Sequence, residues 1–255
     1  MTGISRMYHS PSSYYGKIAS GKRIHSAKDD AAGLNISQKL KKQSGAMNVN
    51  GENIKMGISA ANIADGALEG VHDSLHRIQE LGIRASNGLM SDSDRQALQA
   101  EVSQNLQGLD QIARNTKFNE STLLDGSSNN LHIASNPDGS GMNVNMGNSA
   151  LSALGLRGFN VTGDFDLGAV DKALNAVSEQ RSRIGASTNG LEHSFNYSTG
   201  ASIQLTGANS RLEDLDIPGA VSKMKQDQLM NDYRFMMQKN QMAQSHQVTR
   251  LFQGL

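Results

Sequence analysis

The sequence predicts a mainly α, elongated antiparallel bundle of long helices that carries a small β-hairpin region. Three observations lead there. Apolar residues recur at seven-residue intervals in two long stretches on either side of the middle of the chain. Turn-forming chemistry is concentrated between those stretches. Aromatic residues make up only 4% of the chain and tryptophan is absent, which suits thinly packed long helices rather than a thick aromatic core.

Taken in order, the N-terminal stretch SRMYHSPSSYYGK is expected to be a poor helix. Pro11 lacks a backbone donor, and the serines around it compete for backbone partners. Helix is expected from about Ile36 to Ser86. There Met47, Ile54, Ala61, Leu68 and Leu75 form one seven-spaced row, and Ala64, Val71 and Ile78 form a second row three residues on. Two interleaved rows make the seam of a coiled-coil-like helix. Asn87-Gly88 is a turn pair that ends it, and Ser93 with Gln96 reads as a capping box. The next helix, about Asp94 to Asn115, places Leu98, Val102, Leu106, Leu109 and Ile112 on one face.

After Phe118 the texture changes. Leu131 to Ala134 and Met142 to Met146 alternate on either side of NPDGSG, the pattern of a β-hairpin. SALSALGL reads as a short helical turn. Helix returns from about Leu167 to Leu212, with Val170, Val177, Ile184, Leu191, Leu205 and Leu212 on one grid. Ser198 is the polar exception on that grid, and Leu174 and Phe195 lie on the partner row. Such a helix is roughly 65–70 Å long and cannot bury its stripe alone, so it is expected to pack along the earlier helices. Gly190, Gly200 and Gly207 inside it each cost about 0.8–1 kcal/mol relative to alanine. Pro218-Gly219 interrupts the pattern, and Asp214 and Asp216 read as first-turn residues of a following helix. A last amphipathic segment, rich in Gln and Met, covers about Ala220 to Phe252. The termini are expected to return to the same end.

Composition removes whole classes of function. Lys and Arg number 24, as do Asp and Glu, so there is no basic footprint for nucleic acid, while near-zero net charge permits self-association. No cysteine is present, which excludes disulfides, thiol nucleophiles and cysteine metal sites. No apolar run is long enough to insert in a membrane, and the first residues lack the apolar core of a cleaved signal peptide. His72 and His76 share a helix face in HDSLH, which resembles the metalloprotease H-E-x-x-H helix. Asp73 stands in the Glu position there, Leu75 lies on the core row and no third ligand is evident. No cofactor, metal site or enzymatic activity is expected.

One stretch, SGKRIHSAKDDAAGL (Ser20 to Leu34), carries more charge than a core helix would accept. It resembles, together with DGALEGVHDSLHRIQELGIRASNG, SDSDRQALQAEVSQNLQGLDQIARNTKFNESTLLDG and VSEQRSRIGASTNGLEHSFN, the corresponding segments of bacterial flagellin. The likeness runs in order from Ala19 to Leu212. It implies a tube segment and joint at residues 1–35, shortened relative to the family. A rod domain follows at 36–212, with the hairpin region at about 118–160, and then a C-terminal tube segment at 213–255. The variable outer domains of longer flagellins have no counterpart.

The resemblance further implies a structural subunit that polymerises into the motility filament. The alternative is an assembly-defective or minor flagellin-like paralogue that acts as a filament-associated or interaction protein. Partners implied are further copies of the chain, the flagellar secretion chaperone, the filament cap and the flagellin-sensing Toll-like receptor of a host. The location implied is the extracellular flagellum, reached through the flagellar secretion apparatus without a cleaved signal peptide. Lys22, Arg23, Lys28, Asp29 and Asp30 are the candidate joint residues, where directional polar pairing would fix one subunit against another. Arg77, Leu81 and Glu101 fall on the family's rod-stacking and immune-receptor surface, Leu81 being expected as an exposed apolar anchor ringed by charge.

Overall fold

The computed structural model describes residues 11–127 and 130–253. Five helices and two small antiparallel strand pairs make up these residues. They are α1 (Pro11–Ser20), α2 (Ala31–Ala85), α3 (Asp92–Asn115), β1 (Lys117–Phe118), β2 (Ser121–Thr122), β3 (Asn130–Ala134), β4 (Gly141–Asn145), α4 (Gly168–Glu213) and α5 (Ile217–Gln253). The mainly α class with a small hairpin region is the one expected from the sequence.

The described residues fall into two compact units. Residues 43–203 form one of them. Its core is built by the seven-residue rows: Ile54, Ala61, Leu68 and Leu75, then Ala64, Val71 and Ile78, are fully buried, against Val102, Leu109, Val170, Val177, Ile184 and Leu191. Burying each such Leu or Ile contributes about 1.5–3 kcal/mol relative to exposure. Ser198, the polar member of the return grid, is also buried. Further along α4, the Ser202 hydroxyl donates to Asn48 Oδ1 at 2.6 Å and lies 3.1 Å from the Ser44 hydroxyl, so the polar continuation of the seam is hydrogen-bonded.

The hairpin pairs β3 with β4 in the register Leu131↔Val144 and Ile133↔Met142. Ile133 and Val144 turn inward. Two mid-helix glycines make room for it. A Cβ at Gly57 would come within 2.8 Å of Ile133, and one at Gly190 within 2.6 Å of Met142. Helix propensity lost at these sites is thus exchanged for close helix–hairpin approach. The β1–β2 pair lies outside the sequence expectations. Asn119 and Glu120 both adopt positive φ, as a tight hairpin turn requires, and Glu120 gives no sequence signal for it. SALSALGL forms turns, with Leu154 N donating to Ala150 O at 3.0 Å.

Several boundaries move. The capping box of α3 is formed by Ser91 with Asp94 rather than Ser93 with Gln96, because a helix begins wherever a side chain first meets its free amides. Asp94 N donates to Ser91 Oγ at 3.2 Å, and Ser91 N donates back to Asp94 Oδ2 at 3.1 Å.

The other unit comprises the described residues up to Lys42 and those from Gln204 onward. Here α1 packs on α5, correcting the expectation of a poor helix: Pro11 sits at the first helical position, where its missing donor costs nothing. Residues 5–10 of that stretch lie outside the described residues. Pro218 is accommodated in the same way, as the second residue of α5, where no intrahelical partner awaits its amide. Asp216 caps α5 from outside, accepting from Gly219 N at 3.3 Å, and Asp214 bridges to Lys22, so neither is a first-turn residue. The expected amphipathic segment of α5 leaves its large apolar residues uncovered: Leu229, Tyr233, Phe235, Met236 and Met237 are all exposed.

Candidate assembly surfaces

The link between α1 and α2 meets the link between α4 and α5. Gly21 leaves α1 at φ +66°, which turns the chain. Arg23 N then donates to Glu213 O at 2.7 Å, and Leu215 N donates to Gly21 O at 2.9 Å. Arg23 Nη2 reaches the Leu212 carbonyl at 2.6 Å, satisfying an acceptor left over at the end of α4.

Glu213 is the centre of this junction and lies outside the candidate residues read from the sequence. Its side chain is 4% exposed, with Lys22 Nζ at 3.0 Å from Oε1 and Lys41 Nζ at 2.5 Å from Oε2. Ser37 Oγ donates to Oε2 at 2.8 Å and Asn209 Nδ2 at 3.2 Å. Burial pushes the carboxyl up, but the bonds from Lys41, Lys22, Ser37 and Asn209 outweigh it and carry the value down to about 2.

Of the expected joint residues, four take structural parts. Lys22 and Arg23 hold the second link. Asp29 pairs with Lys17 Nζ at 3.1 Å and accepts from Ser26 N at 3.0 Å and His25 N at 3.2 Å. The Lys17 bond, with help from Ser26 and His25 against a burial penalty, lowers Asp29 to about 2. Asp30 caps α2, accepting from Gly33 N at 2.8 Å. Lys28 is exposed and makes none of these contacts.

On residues 43–203, Arg77 of α2 bridges to Glu101 of α3, Nε to Oε1 at 2.7 Å, and to Glu80 at 3.0 Å. Both Arg77 and Glu101 keep about two fifths of their side chains exposed, at 41% each. Leu81 does not join them at the surface. It is fully buried, which corrects its reading as an exposed anchor. Leu81 lies in the buried core cluster with Ile78 and Ala85 of the same helix, while the segment before α4 places Leu167 and Phe165 against Gly82. The exposed apolar residue nearby is Ile83.

His72 and His76 stack edge to face with ring centroids 4.4 Å apart. Among the described residues no group of three or more His, Cys, Asp or Glu side chains is placed to hold a metal ion. No helix among them is long and apolar enough to cross a membrane.

The large exposed apolar residues of α5 stand apart from this ordinary surface. Its contacts with α1 include a hydrogen bond from the Tyr14 hydroxyl to Asp227 and one from Gln228 Nε2 to Tyr15 Oη at 3.4 Å. Outside that contact, Leu229, Phe235 and Met236 present apolar area to water, a condition that marks interaction surfaces.

Residues 1–129 match the profile of the bacterial flagellin N-terminal helical region, and residues 167–252 that of the bacterial flagellin C-terminal helical region. The chain belongs to the bacterial flagellin family. The N-terminal flagellin region thus takes in α1, α2 and α3, and the C-terminal region takes in nearly all of α4 and α5. A flagellin of Halalkalibacterium halodurans is 34% identical over 239 residues, covering 90% of this chain and 88% of the relative. A flagellin of Bacillus subtilis is 31% identical, covering 90% and 89%. A flagellar filament core protein of Treponema maltophilum is 33% identical over 79% and 78%. Among solved structures, the flagellin of Bacillus cereus superposes with a TM-score of 0.51 at 24% identity, over 58% of this chain and 88% of that one, a likeness of fold.

Proposed function

We propose that the chain is a structural subunit of the bacterial flagellar filament, acting by self-association rather than catalysis. The observation that carries this reading is the presence of both flagellin terminal regions on one chain, with α1 packed on α5. On this reading residues 1–35 are the N-terminal tube segment and joint, 36–212 the rod and 213–255 the C-terminal tube segment. Near-zero net charge and the apolar surface of α5 favour association between copies.

In mechanism, a chain that orders its ends against neighbouring copies offsets the ordering entropy with the interface gained. Glu213, Lys22, Arg23 and Asp29 hold the joint in one arrangement while that happens. Arg77 and Glu101 form the polar rod surface for stacking and for a flagellin-sensing Toll-like receptor. A secretion chaperone and the filament cap engage α5, whose exposed Leu229, Phe235 and Met236 suit an apolar groove, and the working location is outside the cell.

The test is polymerisation of purified monomer with and without filament seeds, followed by light scattering and electron microscopy. Elongation from seeds is expected. A protein with a fully formed helical circular dichroism spectrum that neither elongates seeds nor nucleates would rule the reading out.

A further inference from the structure

The turn between α2 and α3 holds a reactive dipeptide. Asn87 and Gly88 are both exposed and lie outside either helix. The turn is closed by Met90 N donating to Asn87 O at 3.1 Å, and Leu89 N donates to Asn87 Oδ1 at 3.1 Å. These two bonds engage the amides of Leu89 and Met90 and leave that of Gly88 out of them. A Cβ at Gly88 would meet nothing within 4 Å, so the backbone there is open to solvent and to rearrangement. The side-chain carbonyl of Asn87 is held over the chain that follows it rather than turned away.

Two other Asn-Gly pairs provide an internal contrast. Asn50-Gly51 lies inside α2 and Asn189-Gly190 inside α4. In a helix the glycine amide is hydrogen-bonded to the carbonyl four residues back and the backbone is held near ψ −42°, so that nitrogen is neither free to lose its proton nor free to swing onto the side chain. Asn50 is also buried, and Gly190 is packed against Met142.

We propose that Asn87 is a site of spontaneous deamidation, the structure confining this chemistry to one of three chemically equivalent dipeptides. The Gly88 amide nitrogen loses its proton to hydroxide and adds to Asn87 Cγ. A new C–N bond forms, the Cγ–Nδ2 bond breaks, and Nδ2 leaves as ammonia after taking up a proton. Water then opens the cyclic imide at either carbonyl, giving aspartate or its β-linked isomer. One water is consumed, one ammonia is released and no electrons are transferred. The product carries a new negative charge just past the C-terminal end of α2, where the helix dipole disfavours it. The β-linked form also adds a methylene to the main chain, which breaks the bond between Asn87 O and Met90 N.

The experiment is incubation of the full-length folded protein in mildly alkaline buffer, followed by a brief acidic digest and mass spectrometry of the three Asn-Gly peptides. Asn87 is expected to convert at least about tenfold faster than Asn50 and Asn189, which react only through helix opening. Equal rates at the three sites, or conversion led by a helical site, would overturn the proposal. Heavy-oxygen water during incubation should label the Asn87 product, and absence of label would show that the acid arose by another route. The variant Gly88→Ala has room for its Cβ and should keep the helical spectrum while slowing conversion by at least about tenfold, since the added side chain restricts the rotation that the attack needs. An unchanged rate in that variant would exclude the cyclic imide route.

Discussion

Glu213 Oε1 lies 3.0 Å from Lys22 Nζ, joining the segment after α1 to the end of α4 through one buried carboxylate. Its value in the folded chain is about 2, against an ordinary 4.5, so the folded state binds fewer protons than the unfolded one in that interval. Stability from this group is therefore complete above about pH 4.5 and is lost as pH falls toward 2. Asp29 and Asp125, each also held at about 2, act in the same direction over the same acid range. Asp94 and Asp138 are lowered as well, so Glu213→Gln should remove a part, not the whole, of the acid slope of the melting temperature, besides lowering that temperature near neutral pH. Thermal melts followed by circular dichroism at stepped pH measure both. A variant with the same acid slope as the parent would show that the lysine pairs do not govern this junction.

Arg77 and Leu81 are four residues apart on α2 and should fail in different ways. Leu81→Ala opens a cavity in the core and should cost about 2–5 kcal/mol of stability, read by denaturant unfolding. Arg77→Ala removes an exposed bridge to Glu101 and should leave the unfolding curve in place. If the polar surface stacks subunits, the Arg77 variant elongates seeds several-fold more slowly despite its intact fold. Normal elongation by that variant would separate Arg77 from assembly.

What is legible in the sequence follows from what repeats. The rows through Ile54, Leu68, Leu75, Val177 and Leu191 are readable because a long helix must present its apolar side chains at a near-constant interval. The hairpin is readable from strand alternation around NPDGSG. Glu213 carries no such signal: a single acid in SRLEDLD becomes a hub only when Lys22, Ser37 and Lys41, distant in sequence, converge on it. Leu81 reads wrongly as a surface residue because its charged neighbours in sequence hide that it lies three residues past Ile78 and four before Ala85, on the face of α2 that buries both. The resemblance of SGKRIHSAKDDAAGL to the family segment implies a joint for Lys22, Arg23, Asp29 and Asp30, but their division into helix cap, carbonyl clamp and ion pairs depends on geometry that spacing alone does not carry.

The start of α3 offers a local test. Ser91 supplies the side-chain acceptor for Asp94 N, and Asp94 returns a carboxylate to Ser91 N. Two amides that the helix cannot satisfy internally are thereby paired. Ser91→Ala should cost about 1 kcal/mol. Ser93→Ala, further into the first turn, should cost less, because Ser93 makes no cap. Paired denaturation curves decide between the two placements, and a larger effect at Ser93 would contradict the observed cap.

Gly147 tests how the hairpin region is fastened to α4. Its φ is +72°, and a Cβ there would collide with the Gln180 side chain. Gln180 is buried, donates through Nε2 to Met146 O and accepts from Ser149 Oγ at 3.0 Å. Gly147→Ala thus adds backbone strain of about 1–2 kcal/mol and displaces the side chain that ties these two polar groups to α4. Leaving such buried partners unpaired costs a further 1–3 kcal/mol or so. Gln180→Ala should reproduce the second part without the first. If strain and lost pairing are separate contributions, the glycine variant unfolds at lower denaturant than the glutamine variant, and the double variant is less destabilised than the sum of the two. An additive double variant would mean that Gly147 and Gln180 do not act through the same contact.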